Sequence, residues 1–560
     1  MPVSTRRATW YVALGVVLLL ALGLRLRGIH DPILDHPGWR QGDTAAIARN
    51  FATLDFNPLH PQTDYDGPPP NYVELELQIV PYLAAILYKT FGIHEVFGRL
   101  ISIAFSLGTV SLAGFFARRL FASNAAFVFG ALAFAIYPGS VYYGRTFMPD
   151  TAMTFFLTAA VFASWNWIAA DDGRFGRRFA WAVVLTAIAL LAKPVAAVGL
   201  VPIAFMLFAQ RRPLRVLRDP ATYAFFLLAV TPYIAYDWYV RGIAEWHWAS
   251  GITTLHVVPA LRATLTSPHA LAHKLSLLGT ALGMLRATML GDIGFGVAVV
   301  ALLAVRPPDA VRRALLWGWL LAALVYAFVV VTVERVDYYL YPFLPLAALY
   351  TGGVAAFVER SVRIPATRAI AFGAALAVAA FAGVHGAATA APYYRYSKIV
   401  YRSAKALDAT LAPGALVVMG HYDPSVLYYI GRKGWEEDPY LWTPFDEQSA
   451  IRKGARYFIA IEPRRLARNV ELYAWLQRFP LLHAGARWPV YVTDPRAELP
   501  GAEARWRRFR ELEKSGRLPT TAFPIQQQER ADPIQGNGKS EAGGASGAFA
   551  LRSGAPDSTS

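Results

Sequence analysis

Apolar segments about 20 residues long follow one another through the first 390 residues, and arginines gather in the short polar stretches between them. A run of that length crosses the hydrocarbon core of a bilayer as a helix. Lysine and arginine stay preferentially on the cytoplasmic side of short loops. Together these facts restrict the chain to a polytopic α-helical membrane protein and constrain its topology by parity, because basic clusters on one side must be separated by an even number of spans. The clusters are Arg6/Arg7, Arg118/Arg119, Arg174/Arg177/Arg178, Arg211/Arg212/Arg215/Arg218, Arg306/Arg312/Arg313 and Arg360/Arg363/Arg368.

Three apolar stretches, 10–26, 77–92 and 97–117, lie between the first two clusters. Three is odd, so one does not cross. The middle stretch is the shortest and carries Pro81 and Lys89, which makes it a juxtamembrane or re-entrant helix. The loop 28–96 then lies wholly on the extracytoplasmic side. Residues 123–143 and 150–169 pair, and 179–210 forms a hairpin broken at "LAKPV", which puts Lys193 and Pro194 at the outer surface. Segments 220–240, 282–305, 314–333, 338–358 and 366–388 complete about 11 spans. The N-terminal apolar run reads as an uncleaved first span, since Arg25 and Arg27 follow it directly and no small-residue cleavage site is present.

The composition fits, with 55% hydrophobic residues and 14% aromatic. The net charge of +16 is accounted for by the cytoplasmic arginines, so nucleic acid is not among the expected partners. The absence of cysteine excludes disulfides and thiolate metal sites. Near residue 391 the pattern changes: "GALVVMG", "ARYFIAIE" and "WPVYVTD" read as short strands, and "SAKALDATL" and "RRLARNVELYAWLQRF" as helices. The expected organisation is a transmembrane catalytic domain over 1–390, a small extracytoplasmic α/β domain over 391–500, and a mostly disordered tail over 501–560, rich in Gln, Gly and Ser beyond about 515.

On this topology the polar residues beside the apolar segments collect on the outer side. They are Asp43, Glu74 and Glu76 in the first loop, Arg145 and Asp150 before the fourth span, Lys193 at the hairpin, and Glu334, Arg335 and Asp337 further on. Ionisable groups at membrane depth are costly and usually functional. Asp43 opens a stretch with Ile47, Phe51 and Leu54 on one helical face, expected to lie on the membrane with Asp43 in its first turn. Asp150 follows Pro149 at another helix start. Either acid could simply complement a helix dipole, and Lys193 and Arg145 could reach headgroups. Trp39 and Arg40 suit an interface or a phosphate. His247, His256, His269 and His273 match no standard metal spacing.

Carboxylates and cations at the outer face suit sugar transfer from a lipid phosphate. A carboxylate can deprotonate the acceptor hydroxyl, the anomeric carbon passes through an oxocarbenium-like state, and Arg or Lys stabilises the departing phosphate. The motifs "GWRQGDTAAIARNF", "VELELQIVPYLAAILYKTFG", "GRLISIAFSLGTVSLAGFFARRLF", "YYGRTFMPDTAMTFF", "LLAKP" and "ERVDYYLYPFLPLAALY" resemble, in order and spacing, the GT-C superfamily glycosyltransferases of the protein O-mannosyltransferase and lipid A aminoarabinose-transferase type (glycosyltransferase family 39 and its bacterial relatives). The resemblance covers roughly residues 10–390. It implies a bundle of about 11 to 13 spans with outer juxtamembrane helices, a lipid groove and a sugar cavity.

By motif position the resemblance makes Asp43 the catalytic base. Thr44 stands where relatives often carry Glu. The acid before the second juxtamembrane helix corresponds to Glu74 or Glu76, with Glu76 preferred. The remaining motifs correspond to Arg145 and Asp150, to Lys193, and to Tyr338, Tyr339, Pro342 and Pro345.

The expected function is an inverting transferase, passing a hexose or pentose from a polyprenyl phosphate to a hydroxyl on a protein, lipid or glycan. It would act at the extracytoplasmic face of a bacterial-type inner membrane. Asp43 and Asp150 are the candidate catalytic residues, with Arg40, Glu74, Glu76, Arg145, Lys193, Arg335, Tyr338 and Tyr339 lining the substrates. No cofactor is required by the motifs; a divalent cation is left open. The rival readings are a flippase for lipid-linked sugars, which would place charges at the midplane on broken helices, and a non-catalytic scaffold displaying the 391–500 region.

Overall fold

The computed structural model describes residues 3–170, 175–482, 485 and 487–516, with side chains from Tyr11 onward. The side chains of Arg6 and Arg7, Arg174 and the tail from 517 lie outside the described residues. Within the stretch expected to be disordered, Ala502–Lys514 is helical.

Among the described residues up to Ile243 there are eleven α-helices: α1 (Val3–Arg25), α2 (Gly38–Thr53), α3 (Ile79–Phe91), α4 (Glu95–Phe121), α5 (Asn124–Ile136), α6 (Pro138–Tyr143), α7 (Asp150–Ile168), α8 (Arg177–Ala192), α9 (Leu200–Gln210), α10 (Pro213–Arg218) and α11 (Pro220–Ile243). Among the described residues, six helical segments are long and apolar enough to cross a membrane: Glu95–Phe121, Asp150–Ile168, Pro268–Ala304, Ala310–Glu334, Asp337–Ser361 and Pro365–Thr410. Tyr11–Arg25, Ile79–Phe91, Asn124–Ile136 and Pro194–Gln210 are shorter apolar helices. The break expected at "LAKPV" is present. Lys193 is extended between α8 and a 3-10 turn over Pro194–Gly199, because Pro194 cannot donate the next helical hydrogen bond. The segment expected at 282–305 is a longer helix from Pro268, interrupted by a π turn at Leu285–Leu290.

The region beyond Ala391 holds a five-stranded sheet: β1 (Leu416–Met419), β2 (Lys433–Glu436), β3 (Ala455–Ile459), β4 (Leu481–Leu482) and β5 (Val490–Val492), in the order β2-β1-β3-β5-β4. The strands around β1 are parallel, and β5 runs antiparallel to β3. β1, β3 and β5 coincide with the three apolar runs noted in the sequence. The stretch "RRLARNVELYAWLQRF" is two helices rather than one, split at Asn469, whose side chain caps the second through Leu472 N at 3.0 Å.

Packing is continuous across the boundary expected near 390. One apolar cluster joins Ile33, Ala45 and Ala48 of the first loop, Val80 and Ala84 of α3, Phe147 before α7, and Val417, Val426 and Leu427 of the sheet region. The main bundle has its own core around Phe116, Trp165, Trp319 and Tyr341.

Candidate active site

The first loop enters the site through Asp35. This carboxylate is fully buried and accepts from Arg99 Nη2 at 3.0 Å, from Arg145, and from Gln41 Nε2 at 2.8 Å. Gln41 Oε1 in turn accepts the Phe147 backbone N–H at 3.2 Å. Two guanidiniums on α4 and on the α6–α7 turn thus converge on one acid and fix where α2 begins. The positioning role of Asp35 was not legible in the sequence, where it is one acid among several in a polar loop.

The helix carrying Asp43 starts at Gly38, five residues earlier than expected, so Asp43 sits in its second turn. It does not lie on the membrane with one face exposed. Arg40 through Ala48 are all buried, because α3 packs on one side and the helix Pro424–Ile430 on the other. Near its start Trp39 projects, 41% exposed, toward Tyr338.

Arg40 links the acids of the site. It is buried, forms an ion pair with Glu76, and lies 3.9 Å from Asp43. Glu76 and Asp43 outweigh burial and hold its charge in place. Burial pushes the Asp43 carboxyl up to about 7; Arg40 and Tyr65 pull against that, and Asp423 and Asp64 add to it. Asp43 Oδ1 has no hydrogen-bond partner among the described residues. Tyr338 and Asp150 also bear on the Arg40 guanidinium.

Asp150 opens α7 and forms a buried ion pair with Lys193 at 2.8 Å. Lys193 is therefore turned into the fold, and its ammonium lies over the rings of Tyr338 and Tyr339 at 5.4 and 5.5 Å. Asp337 is enclosed by the Tyr143 and Tyr393 hydroxyls at 2.6 and 2.5 Å.

The structure separates the two acids between which the sequence left a choice. Glu76 meets Arg40, whereas Glu74 binds Ser250 Oγ at 2.7 Å and Arg241 at 3.2 Å. Arg145 is wholly buried against Asp35. Arg335 is exposed, sits in the left-handed region at φ 51°, and has no side-chain partner among the described residues. Glu334 takes His256 Nδ1 at 2.9 Å. Among the described residues no group of three His, Asp or Glu side chains is arranged to hold a metal ion, so the divalent cation left open by the sequence finds no residue set here.

One group of residues had no signal in the sequence. Tyr65 and Asp66 of the first loop and Tyr422, Asp423 and Glu436 of the sheet region all act electrostatically on Asp43 or on one another. They come from segments more than 350 residues apart in the chain, and only the docking of the sheet region on the first loop unites them.

A family model described as dolichyl-phosphate-mannose-protein mannosyltransferase matches residues 78–236. No curated protein matches the chain in sequence. Among solved structures, the chain is similar to ArnT from Cupriavidus metallidurans bound to undecaprenyl phosphate, with a TM-score of 0.57 and 14% identity over 89% of this chain and 100% of that one. The apo state of the same protein gives a TM-score of 0.50 over 84% and 91%. The Archaeoglobus fulgidus oligosaccharyltransferase in complex with Zn and sulfate gives 0.53 at 13% identity, over 80% and 67%. The chain is a multi-pass membrane protein that shares the fold of the ArnT and oligosaccharyltransferase structures, and its residues 78–236 match the dolichyl-phosphate-mannose-protein mannosyltransferase model.

Proposed function

We propose that the chain is an inverting glycosyltransferase that moves a sugar from a polyprenyl phosphate to a hydroxyl acceptor at the extracytoplasmic face of a bacterial-type inner membrane. The observation that carries this reading is Asp43. It is a buried carboxylate with one free oxygen, steadied by Arg40 and raised to about 7, which suits a general base working near neutral pH. In the reaction the acceptor oxygen attacks the anomeric carbon and Asp43 takes its proton. The bond from that carbon to the phosphate oxygen breaks, and polyprenyl phosphate leaves with the electron pair.

The ion pair of Asp150 and Lys193, with its ammonium over Tyr338 and Tyr339, is close enough for Asp150 and Tyr338 to act on Arg40. Glu76 holds Arg40 in line with Asp43. Arg335, exposed and unpaired among the described residues, is the cation we assign to the departing phosphate; Arg145 already serves Asp35. The similarity to an ArnT bound to undecaprenyl phosphate supports a polyprenyl carrier.

The test is transfer in proteoliposomes containing labelled polyprenyl-phosphate sugars and a panel of hydroxyl acceptors. Asp43→Asn should lower turnover by about a hundredfold or more while the protein keeps its melting temperature. A folded Asn variant with the parent's turnover removes Asp43 as the base.

A further inference from the structure

The sheet region touches the helix of Asp43 at both of its flanks. At Gly42, one residue before the acid, a side-chain Cβ would stand 2.5 Å from both the N and the Cα of Ser425. That approach is open only to glycine. At Asn50, seven residues on and on the same helical face as Asp43, Lys433 arrives from β2. Its ammonium donates to Asn50 Oδ1, the Thr63 carbonyl and Asp64 Oδ1, each at 3.1 Å.

The backbone of β2 takes part as well. β2 is an edge strand, and the first loop pairs with its free side: Gly67 N–H donates to the Gly434 carbonyl at 2.8 Å, and Gly434 N–H to the Asp64 carbonyl at 2.9 Å. Such pairing satisfies an edge that would otherwise be open. Arg49 of α2 completes the contact, with an ion pair to Asp64 and a hydrogen bond to the Tyr428 carbonyl at 3.0 Å.

We infer that the α/β region is a built-in part of the catalytic centre, with Lys433 a positioning residue that fixes the Asp43 helix and offsets the charge of Asp64 beside it. This rests on the reading of Asp43 as the base. The groups facing Asp43 are Arg40 on its own helix, Tyr65, Asp64 and Asp66 from the first loop, and Asp423 from the sheet region; Glu436 and Tyr422, also from the sheet region, are in turn raised by Asp43. Asp64 is one of those that raise Asp43, and it is compensated by Arg49 and Lys433. Loss of Lys433 exposes Asp43 to more of that negative charge, so Asp43 holds its proton to a higher pH.

The experiment uses the full chain in lipid nanodiscs and compares Lys433→Met with Lys433→Arg. A hydrophobic carbodiimide modifies protonated carboxyls, and peptide mass spectrometry reads the pH midpoint of Asp43 labelling without any need for turnover. In Lys433→Met the midpoint should rise by about half a pH unit, as for a unit charge lost roughly 10 Å away in a partly solvated setting. The acid limb of transfer should move with it, and kcat should fall with little change in KM for the donor. Lys433→Arg should restore both. Gly42→Ala, which forces Ser425 away, should likewise lower kcat rather than raise KM. A Lys433→Met midpoint superimposed on the parent's, or parent-like kcat in both Lys433→Met and Gly42→Ala, overturns the proposal. A shifted midpoint in a protein that transfers no sugar would instead reject the glycosyltransfer reading and leave the positioning role standing.

Discussion

Replacing Asp35 by Asn keeps the shape of the side chain and removes its charge. Asp35, Arg99 and Arg145 are all 0% exposed, and the one carboxylate serves both guanidiniums. Deleting it strands two cations away from water. Breaking a single buried pair costs about 3–5 kcal/mol, because the remaining charge has no solvent to return to. The backbone carbonyls of Gly28, Ile29 and Asp31 that accept from Arg99 soften the loss for that residue. For Arg145, the remaining hydrogen bond among the described residues is to the Gly28 carbonyl at 3.2 Å, beside the rings of Tyr394 and Tyr142 at 4.4 and 5.1 Å. We therefore expect Asp35→Asn to lose about 3–5 kcal/mol, a fall in melting temperature of about 3–4 °C for a chain this large.

Intrinsic tryptophan fluorescence during heating of the nanodisc-embedded protein reads this directly. In an Arg145→Met background the same change should cost at least about 1 kcal/mol less, since one stranded charge is gone. An Asp35→Asn protein melting within about 1 °C of the parent, or an equal loss in both backgrounds, would refute the clamp. It would also return Arg145 to the pool of cations available to a phosphate.

Three further outcomes follow from the site. A base raised to about 7 must be ionised to work, so transfer at saturating donor should rise about tenfold from pH 6 to pH 8; a flat profile over that range contradicts the assignment. Arg335→Met should lower kcat/KM for the polyprenyl donor about tenfold, equivalent to about 1.4 kcal/mol, at unchanged melting temperature, and an unchanged kcat/KM would exclude a phosphate contact. Gly434 has φ 149°, and a Cβ there would meet the Val417 carbonyl oxygen at 1.9 Å, so Gly434→Ala should detach β2 and make the 391–500 region sensitive to brief proteolysis; resistance equal to the parent's would show that the strand can shift to accommodate it.

The sequence marked the apolar helices because apolar runs are local properties, but of about 11 expected spans only six helical segments among the described residues are long and apolar enough to cross a membrane. The break at Lys193 and the short helix Ile79–Phe91 were legible for the same reason, through Pro194 and through the length and content of 77–92. β1, β3 and β5 announced themselves as apolar runs. β2, "KGWE", did not, since it is polar, contains a glycine and owes its existence to partners on both sides.

The catalytic candidates divide along the same line. Asp43, Asp150 and Lys193 could be picked out as charged groups beside apolar segments, and the order of the motifs suggested their chemistry. Whether a given charge is free or already paired is a distance between segments remote in sequence, and sequence spacing carries no such distance. Only the tertiary structure gave Arg145 to Asp35, Glu76 rather than Glu74 to Arg40, and Lys193 to Asp150. It also enclosed the Asp43 helix between α3 and the sheet region, where the sequence pattern had suggested a helix resting on the membrane. The physical reason is that amphipathicity reports which face avoids water but not what covers it, and here the cover comes from residues near 425 and 433 at the far end of the chain.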